Sequence, residues 1–292
     1  MAQLKEIRSR ITSVKNTRQV TSAMKLVSAA KLKKAQDAIM QIIPYDEKLH
    51  EIIQHLSLGE VEFNPVFFSK PEKGKVLIVV VGANRGLCGA FNANASKMAL
   101  MHATKNYSDE LMAGKVVFLP IGRQVEKQLK IRNAIIFNEA NQLIDEHNYD
   151  EISSFSDQLM QGFSQSEFQQ IDIVYNKFKN AAVQELTAEN FLPVNKPELD
   201  ENDRSSSDYI FEPSQEEILS SLIPQSLRMR IFRILLDSNA AEHGARMTAM
   251  HQATDNATDL LRQLKTTYNN ARQDAITNEI LEITAGAEAL KA

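Results

Sequence analysis

The chain has 292 residues, of which 43% are hydrophobic and 24% charged, and its formal net charge is −4. That balance is ordinary for a soluble protein of one large or two medium domains. A single cysteine, Cys88, excludes an internal disulfide and fits a reducing compartment, and no apolar run reaches the roughly 18 residues of a membrane span.

Residues 3–43 read as one helix. Leu4, Ile7, Ile11 and Val14 follow at spacings of 3 and 4, as do Leu32, Ala35, Ile39 and Ile42, which is the seam of a coiled coil. Between them the seam turns small and polar, through Thr17, Thr21, Ser22, Ala23, Ser28, Ala29 and Ala30. Small residues predict close approach to another helix. The start, MAQLKEIRSRI, is basic and amphipathic, as a transit peptide is. The pattern continues past Met24 without a cleavage-like break, so it reads as mature helix. Residues 1–36 carry nine Lys or Arg against the single acid Glu6. Such a helix must meet an acidic surface, a nucleic acid or an anionic membrane. Pro44 is expected to kink or end it. Tyr45 to Leu56 then suggests a further helical stretch, and residues 59–74, with Pro65, Pro71 and Gly74, read as a linker.

The grammar changes at residue 75. Val76–Val81 is an unbroken β-branched run, as in a strand buried on both faces. GANRGLCGAFN follows, then a helix from about Asn92 to Tyr107. Val116–Ile121 reads as a second strand, Gln124–Leu129 as a short helix, and Ala134–Phe137 as a third strand. Tyr149–Ser164 is helical. Ile171–Lys177 and Val183–Leu192 are the fourth and fifth strands. Strand–helix alternation of this kind predicts a parallel, Rossmann-like sheet in an α/β domain at 75–192. Residues 193–213 are proline-bearing and acidic, and read as a second linker with a short extended piece at Tyr209–Phe211.

From Ser214 the chain is helical to its end. Only two glycines, Gly244 and Gly286, interrupt it. Met250, Ala253, Ala257, Leu260 and Leu264 form a seam, followed by Tyr268, Ala271 and Ala275. The two successive fours about Leu264 predict a stutter. The expected architecture is therefore an α/β domain inserted between two long terminal helices, residues 1–58 and 214–292, paired as an antiparallel coiled coil.

Several chemistries are weighed against the residues. Gly82, Gly86 and Gly89 lie between a strand and a helix, where doubly wound sheets bind phosphates. Their spacing matches neither a dinucleotide fingerprint nor a P-loop, so a tight packing turn is the favoured reading and no cofactor is expected. Cys88 is read as structural. The six histidines form no metal-ligand spacing. The basic N-terminal helix keeps nucleic-acid binding open, although residues 1–44 contain no aromatic side chain.

The two ends together resemble the gamma subunit of the F-type ATP synthase. Ile7–Gln36 (IRSRITSVKNTRQVTSAMKLVSAAKLKKAQ), Ala245–Leu290 (beginning ARMTAMHQATDNATDLL) and Gly86–Asn92 (GLCGAFN) carry the likeness. It implies a non-catalytic central rotor shaft inside a ring of alpha and beta subunits, with the α/β domain beside an epsilon subunit and a ring of c subunits. It implies no nucleic-acid partner, no insertion into the membrane, and a peripheral position on the cytoplasmic face of a bacterial inner membrane. By the same likeness Met24 and Lys25 contact the beta lever, and Arg246, Arg272, Gln273, Thr277 and Glu282 are gripping contacts of the C-terminal helix. Family members often carry Glu-Ser or Ser-Glu before Ala-Arg-Met, whereas this chain has Ala241-Glu242-His243-Gly244. Gly244 is expected to loosen the helix just before Arg246.

Overall fold

The computed structural model describes residues 2–57, 65–146, 148–194, 212 and 214–289. Its elements in chain order are α1 (Ala2–Ser57), a 3-10 turn (Pro65–Phe67), β1 (Lys75–Val81), α2 (Phe91–Asn106), α3 (Ser108–Met112), β2 (Val116–Ile121), α4 (Arg123–Ile131), α5 (Leu143–Glu146), α6 (Tyr149–Ser164), β3 (Phe168–Phe178), β4 (Gln184–Leu192) and α7 (Gln215–Ala289). The extended piece expected at Tyr209–Phe211 lies outside the described residues. Two compact units form, one from residues 1–28 and 246–292, the other from residues 29–245.

In the larger unit a four-stranded sheet runs in the order β2-β1-β3-β4. β1 pairs parallel with β2 and β3, while β3 and β4 are antiparallel. The sheet is therefore mixed, and the expectation of a wholly parallel one is corrected at its last strand. A tight turn at Asn180 explains this: its side-chain oxygen accepts from the N–H groups of Ala182 and Val183 at 3.0 and 2.8 Å. So short a connection can only reverse the chain. Ala134–Phe137 is likewise not a strand but a single parallel bridge, Phe118 to Ile136. Asn133 enters it at φ 57, a left-handed turn that allows no longer run.

β1 is buried on both faces because helices cover both. Val76, Ile78 and Val80 pack with Ala95 and Ala99 of α2 and with Val125 and Leu129 of α4. Leu77, Val79 and Val81 share a second core with Phe155 and Phe163 of α6 and with Leu219, Ile223, Leu227 and Ile231 of α7. The first turns of the C-terminal helix thus belong to the core of the α/β domain. Burial on every side explains why this stretch shows no single apolar stripe.

Two of the eight prolines sit inside helices, Pro44 in α1 and Pro224 in α7. The helix does not end at Pro44. Pro44 and Met40 are both exposed, so the carbonyl deprived of its N–H partner faces water. Among the buried and half-buried positions of α1 in this unit, Leu32, Ala35, Ile39, Ile42, Asp46, Leu49 and Ile53 keep alternating by 3 and 4 straight past it.

Polar ties join α1, α7 and the β3–β4 hairpin. Arg233 of α7 is ion-paired with Asp46 of α1, and Gln225 donates to the Tyr45 hydroxyl at 2.5 Å. The Tyr175 hydroxyl donates to Glu189 at 2.7 Å, and Arg230 donates to the other Glu189 oxygen at 3.1 Å. Burial first, then this carboxylate, pushes the Tyr175 phenol well above its ordinary range. Asp46, Tyr175, Glu189, Arg230 and Arg233 border a cavity of about 520 Å³ together with Lys177 and Asp237. Asp237 is 8% exposed, and its burial pushes the carboxyl upward, against the pull of Arg233 and Lys177. Gly244 does not loosen the helix. A Cβ there would lie 3.2 Å from the Ala181 carbonyl oxygen, so the glycine lets α7 pass close to the hairpin turn.

Candidate functional site

In the smaller unit the two terminal helices run antiparallel. Thr254 donates to Thr21 at 2.9 Å, and Lys25 Nζ lies 3.4 Å from His251 Nδ1. On α1 the buried and half-buried positions include Leu4, Ile7, Ile11, Val14, Arg18, Thr21, Lys25 and Ser28. On α7 they include Met250, Thr254, Ala257, Leu261, Leu264, Tyr268, Ala271 and Ala275. Each set alternates by 3 and 4 without a break, the regular seam of a coiled coil.

This corrects the predicted register. Leu260 is 43% exposed and Leu261 6%, so the second of the adjacent leucines is the buried one. With Thr254 taken into the seam, the stutter expected about Leu264 disappears. The seam is polar in its middle. Thr21 donates in turn to the Arg18 carbonyl at 3.1 Å, and the Ser28 hydroxyl to that of Met24 at 2.7 Å.

At this register Ala2 lies level with Gln273. Residues 274–289 of α7 therefore run past the described part of α1, an overhang of about 24 Å at about 1.5 Å per residue. Large apolar side chains stand exposed there: Ile276, Ile280, Leu281 and Ile283.

The sequence-predicted contacts fall into two groups and one outlier. Arg272 and Gln273 are exposed at the last paired turn, and Thr277 and Glu282 are exposed on the overhang. The Thr277 hydroxyl donates to the Gln273 carbonyl at 2.9 Å. Met24 and Lys25 are half-buried beside His251, roughly 33 Å along the helix from Gln273. Arg246 is only 7% exposed. Burial within its own chain sets it apart from the other six as a surface contact.

Sequence reasoning missed three neighbours of Met24. Val20, Leu26 and Val27 are all exposed, and at 100° per residue Val20 and Val27 share a stripe with Met24. Their signal was present as apolar residues lying off the seam. Clustered exposed apolar groups of this kind mark interaction surfaces. Of the nine cations in residues 1–36, all but Arg18 and Lys25 are exposed on the same helix.

The first two N–H groups of the loop after β1 are spent within the chain, and its Asn84 side chain accepts from the start of α4. Ala83 N–H donates to Asn92 Oδ1 at 2.8 Å, Gly82 N–H to the Ile121 carbonyl at 2.9 Å, and Arg123 N–H to Asn84 Oδ1 at 3.0 Å. A phosphate cradle needs such groups free. A Cβ on Gly82 would lie 2.5 Å from Val125 Cβ, so this glycine serves close packing of α4. Cys88 is buried with Ala83, Phe91 and Ala241, and its sulfur accepts from Asn92 Nδ2 at 3.2 Å.

A family model described as ATP synthase matches residues 3–290. The ATP synthase gamma chain of Flavobacterium johnsoniae is 50% identical over 291 residues, 99% of each chain. That of Cytophaga hutchinsonii is 45% identical over 293 residues, again 99% of each. Among solved structures, a chain of the Euglena gracilis mitochondrial ATP synthase (OSCP/F1/c-ring, rotational state 3) superposes with a TM-score of 0.67. Its identity is 16%, with 99% of this chain and 95% of that one covered.

Proposed function

Because this chain belongs to the ATP synthase gamma-chain family, we propose that it works as the central rotor shaft of the complex. It couples ion-driven turning of the membrane c ring to conformational cycling of the catalytic beta subunits. The observation that carries this reading is the antiparallel helix pair, whose seam is unbroken and whose α7 runs past the described part of α1. Such a pair bears torque along its axis and presents different side chains on each face. A ring of three beta subunits then meets a different contact free energy at each position, which suffices to bias their conformations.

The chain is a subunit of ATP synthase, and we assign it no catalytic step of its own. The Gly82 and Ala83 N–H groups, both bonded within the chain, support that assignment. Its partners are the alpha and beta hexamer, the c-subunit ring and an epsilon subunit. Met24, Lys25, Arg272, Gln273, Thr277 and Glu282 form the contact surface, and Arg246 supports it from within. Functionally the chain divides into the terminal helices, 1–58 and 214–292, and the α/β domain, 75–192. No described helix is long and apolar enough to cross a membrane. We place the protein peripherally, on the cytoplasmic face of a bacterial inner membrane.

The test is ATP hydrolysis by the chain alone, then by co-expressed alpha and beta subunits with and without it. The expected result is an inert chain that yields a stable, active complex. Nucleotide hydrolysis by the isolated chain, or a complex indifferent to it, would overturn the reading.

A further inference from the structure

A groove of about 900 Å³ opens on the α/β domain between residues 137–143, α6 and the start of β3. Its back wall is apolar, with Leu119, Phe155 and Phe168 buried there. At its mouth Phe137 is 39% exposed and meets Phe168 edge to face, with ring centroids 5.2 Å apart. Four carboxylates line it: Glu139, Asp150, Glu151 and Glu167. Among the described residues no Lys, Arg or His lines it and none of the four makes an ion pair; the nearest cations stand outside it, Lys75 Nζ at 5.9 Å from the centroid of the Phe137 ring and Lys130 within the field of Glu139. Asp150 and Glu151 occupy the first turn of α6, where acids offset the helix dipole. Glu139 and Glu167 lie outside any helix, so that benefit does not account for them.

We propose that this groove docks a Lys/Arg-rich polypeptide segment bearing one large apolar side chain, contributed by another subunit of the complex. An aromatic-edged apolar wall takes the anchor side chain, and the acidic rim takes the flanking cations. Charge complementarity of this kind sets specificity and encounter rate more than raw affinity. An anionic lipid surface is repelled by the same rim, which selects a protein partner over the membrane. The proposal rests on the chain's working inside a multisubunit assembly.

The test uses the assembled complex, with the photo-crosslinking residue p-benzoylphenylalanine replacing Gln142 or Gln158, two exposed residues of the groove. Adducts are mapped by mass spectrometry. The expected adduct lies on another subunit, within one helical turn of two or more Lys or Arg residues and a large apolar one. Its yield should fall about tenfold in the E139K/E167K double variant and only partly in E139Q/E167Q, with circular dichroism showing both folded. An intact complex with no adduct from either position overturns the proposal. So does an adduct to lipid or to a neutral or acidic segment, or a yield unmoved by charge reversal. Failure of the wild-type complex to assemble would instead count against the shaft reading.

Discussion

The hydroxyl oxygens of Thr21 on α1 and Thr254 on α7 lie 2.9 Å apart in the seam of the antiparallel pair. A polar pair at a seam position fixes register at some cost in stability, because any slip breaks the bond across the seam and leaves each hydroxyl only a carbonyl of its own helix, Arg18 for Thr21 and Met250 for Thr254. Here the pair falls among small and polar residues that offer little apolar burial to set the register otherwise. Single T21V and T254V variants should each lose about 1 kcal/mol, since one hydroxyl loses its partner across the seam. The T21V/T254V double should recover most of that loss, and a double-mutant cycle by thermal unfolding measures the coupling. Additive losses would mean that the pair does not act as a unit.

Asp237 predicts an unusual pH dependence. Burial raises its folded-state pKa above the unfolded value. Between those two values the folded state binds more protons than the unfolded one, so stability falls as pH rises through the window. Above it the buried charge costs the protein at every pH. The D237N variant should therefore be more stable at neutral pH, by about 1 kcal/mol, and lose the acid-side gain. Unfolding midpoints of both proteins across mildly acidic to neutral pH check this. A destabilised variant would show that Lys177 or Arg233 already compensates the carboxylate.

Arg272 and Gln273 are exposed in the isolated chain, so their replacement by alanine should alter its stability by less than about 0.5 kcal/mol. In the assembled complex the same variants should weaken ATP synthesis. Normal synthesis in both would remove these two residues from the proposed contact surface.

Gly82 lies where α4 presses on the loop after β1. Alanine there would drive its Cβ into Val125 and to 2.8 Å from Asn92 Oδ1, displacing the acceptor of the Ala83 N–H. The expected loss for G82A is about 1–3 kcal/mol, read as a lowered unfolding midpoint. An unchanged midpoint would show that the helix can back away.

The strands with continuous β-branched runs were legible in the sequence because burial on both faces leaves that mark. The direction of β4 was not, since strand character is the same either way; only the Asn180 turn carried the information. In the helices, apolar spacing located both seams but could not choose between Leu260 and Leu261. Counting only apolar residues also passed over Thr254, whose seam role depends on a residue 233 positions away in the chain. Pro44 misled because its cost depends on whether the freed carbonyl reaches water, which spacing does not report. The exposed tip residues Arg272, Gln273, Thr277 and Glu282 were legible as polar side chains near the end of the long helix, and resemblance proposed them as contacts. Arg246 was found by resemblance, and its burial was invisible until α7 was seen to be enclosed at that level.

One continuous helix of 75 residues, α7, supplies both the partner of α1 and a wall of the sheet's core. It is also synthesised after every other described element. Until then α1 carries an uncovered seam, and Leu77, Val79 and Val81 lack part of their cover. Contacts spanning more than two hundred residues must close late, which slows folding and prolongs exposure of apolar surface. Neither unit can complete itself from the chain made before residue 215. Synthesis of this protein should therefore lean on chaperones that shield α1, and a chain truncated before α7 should aggregate rather than leave a soluble α/β domain.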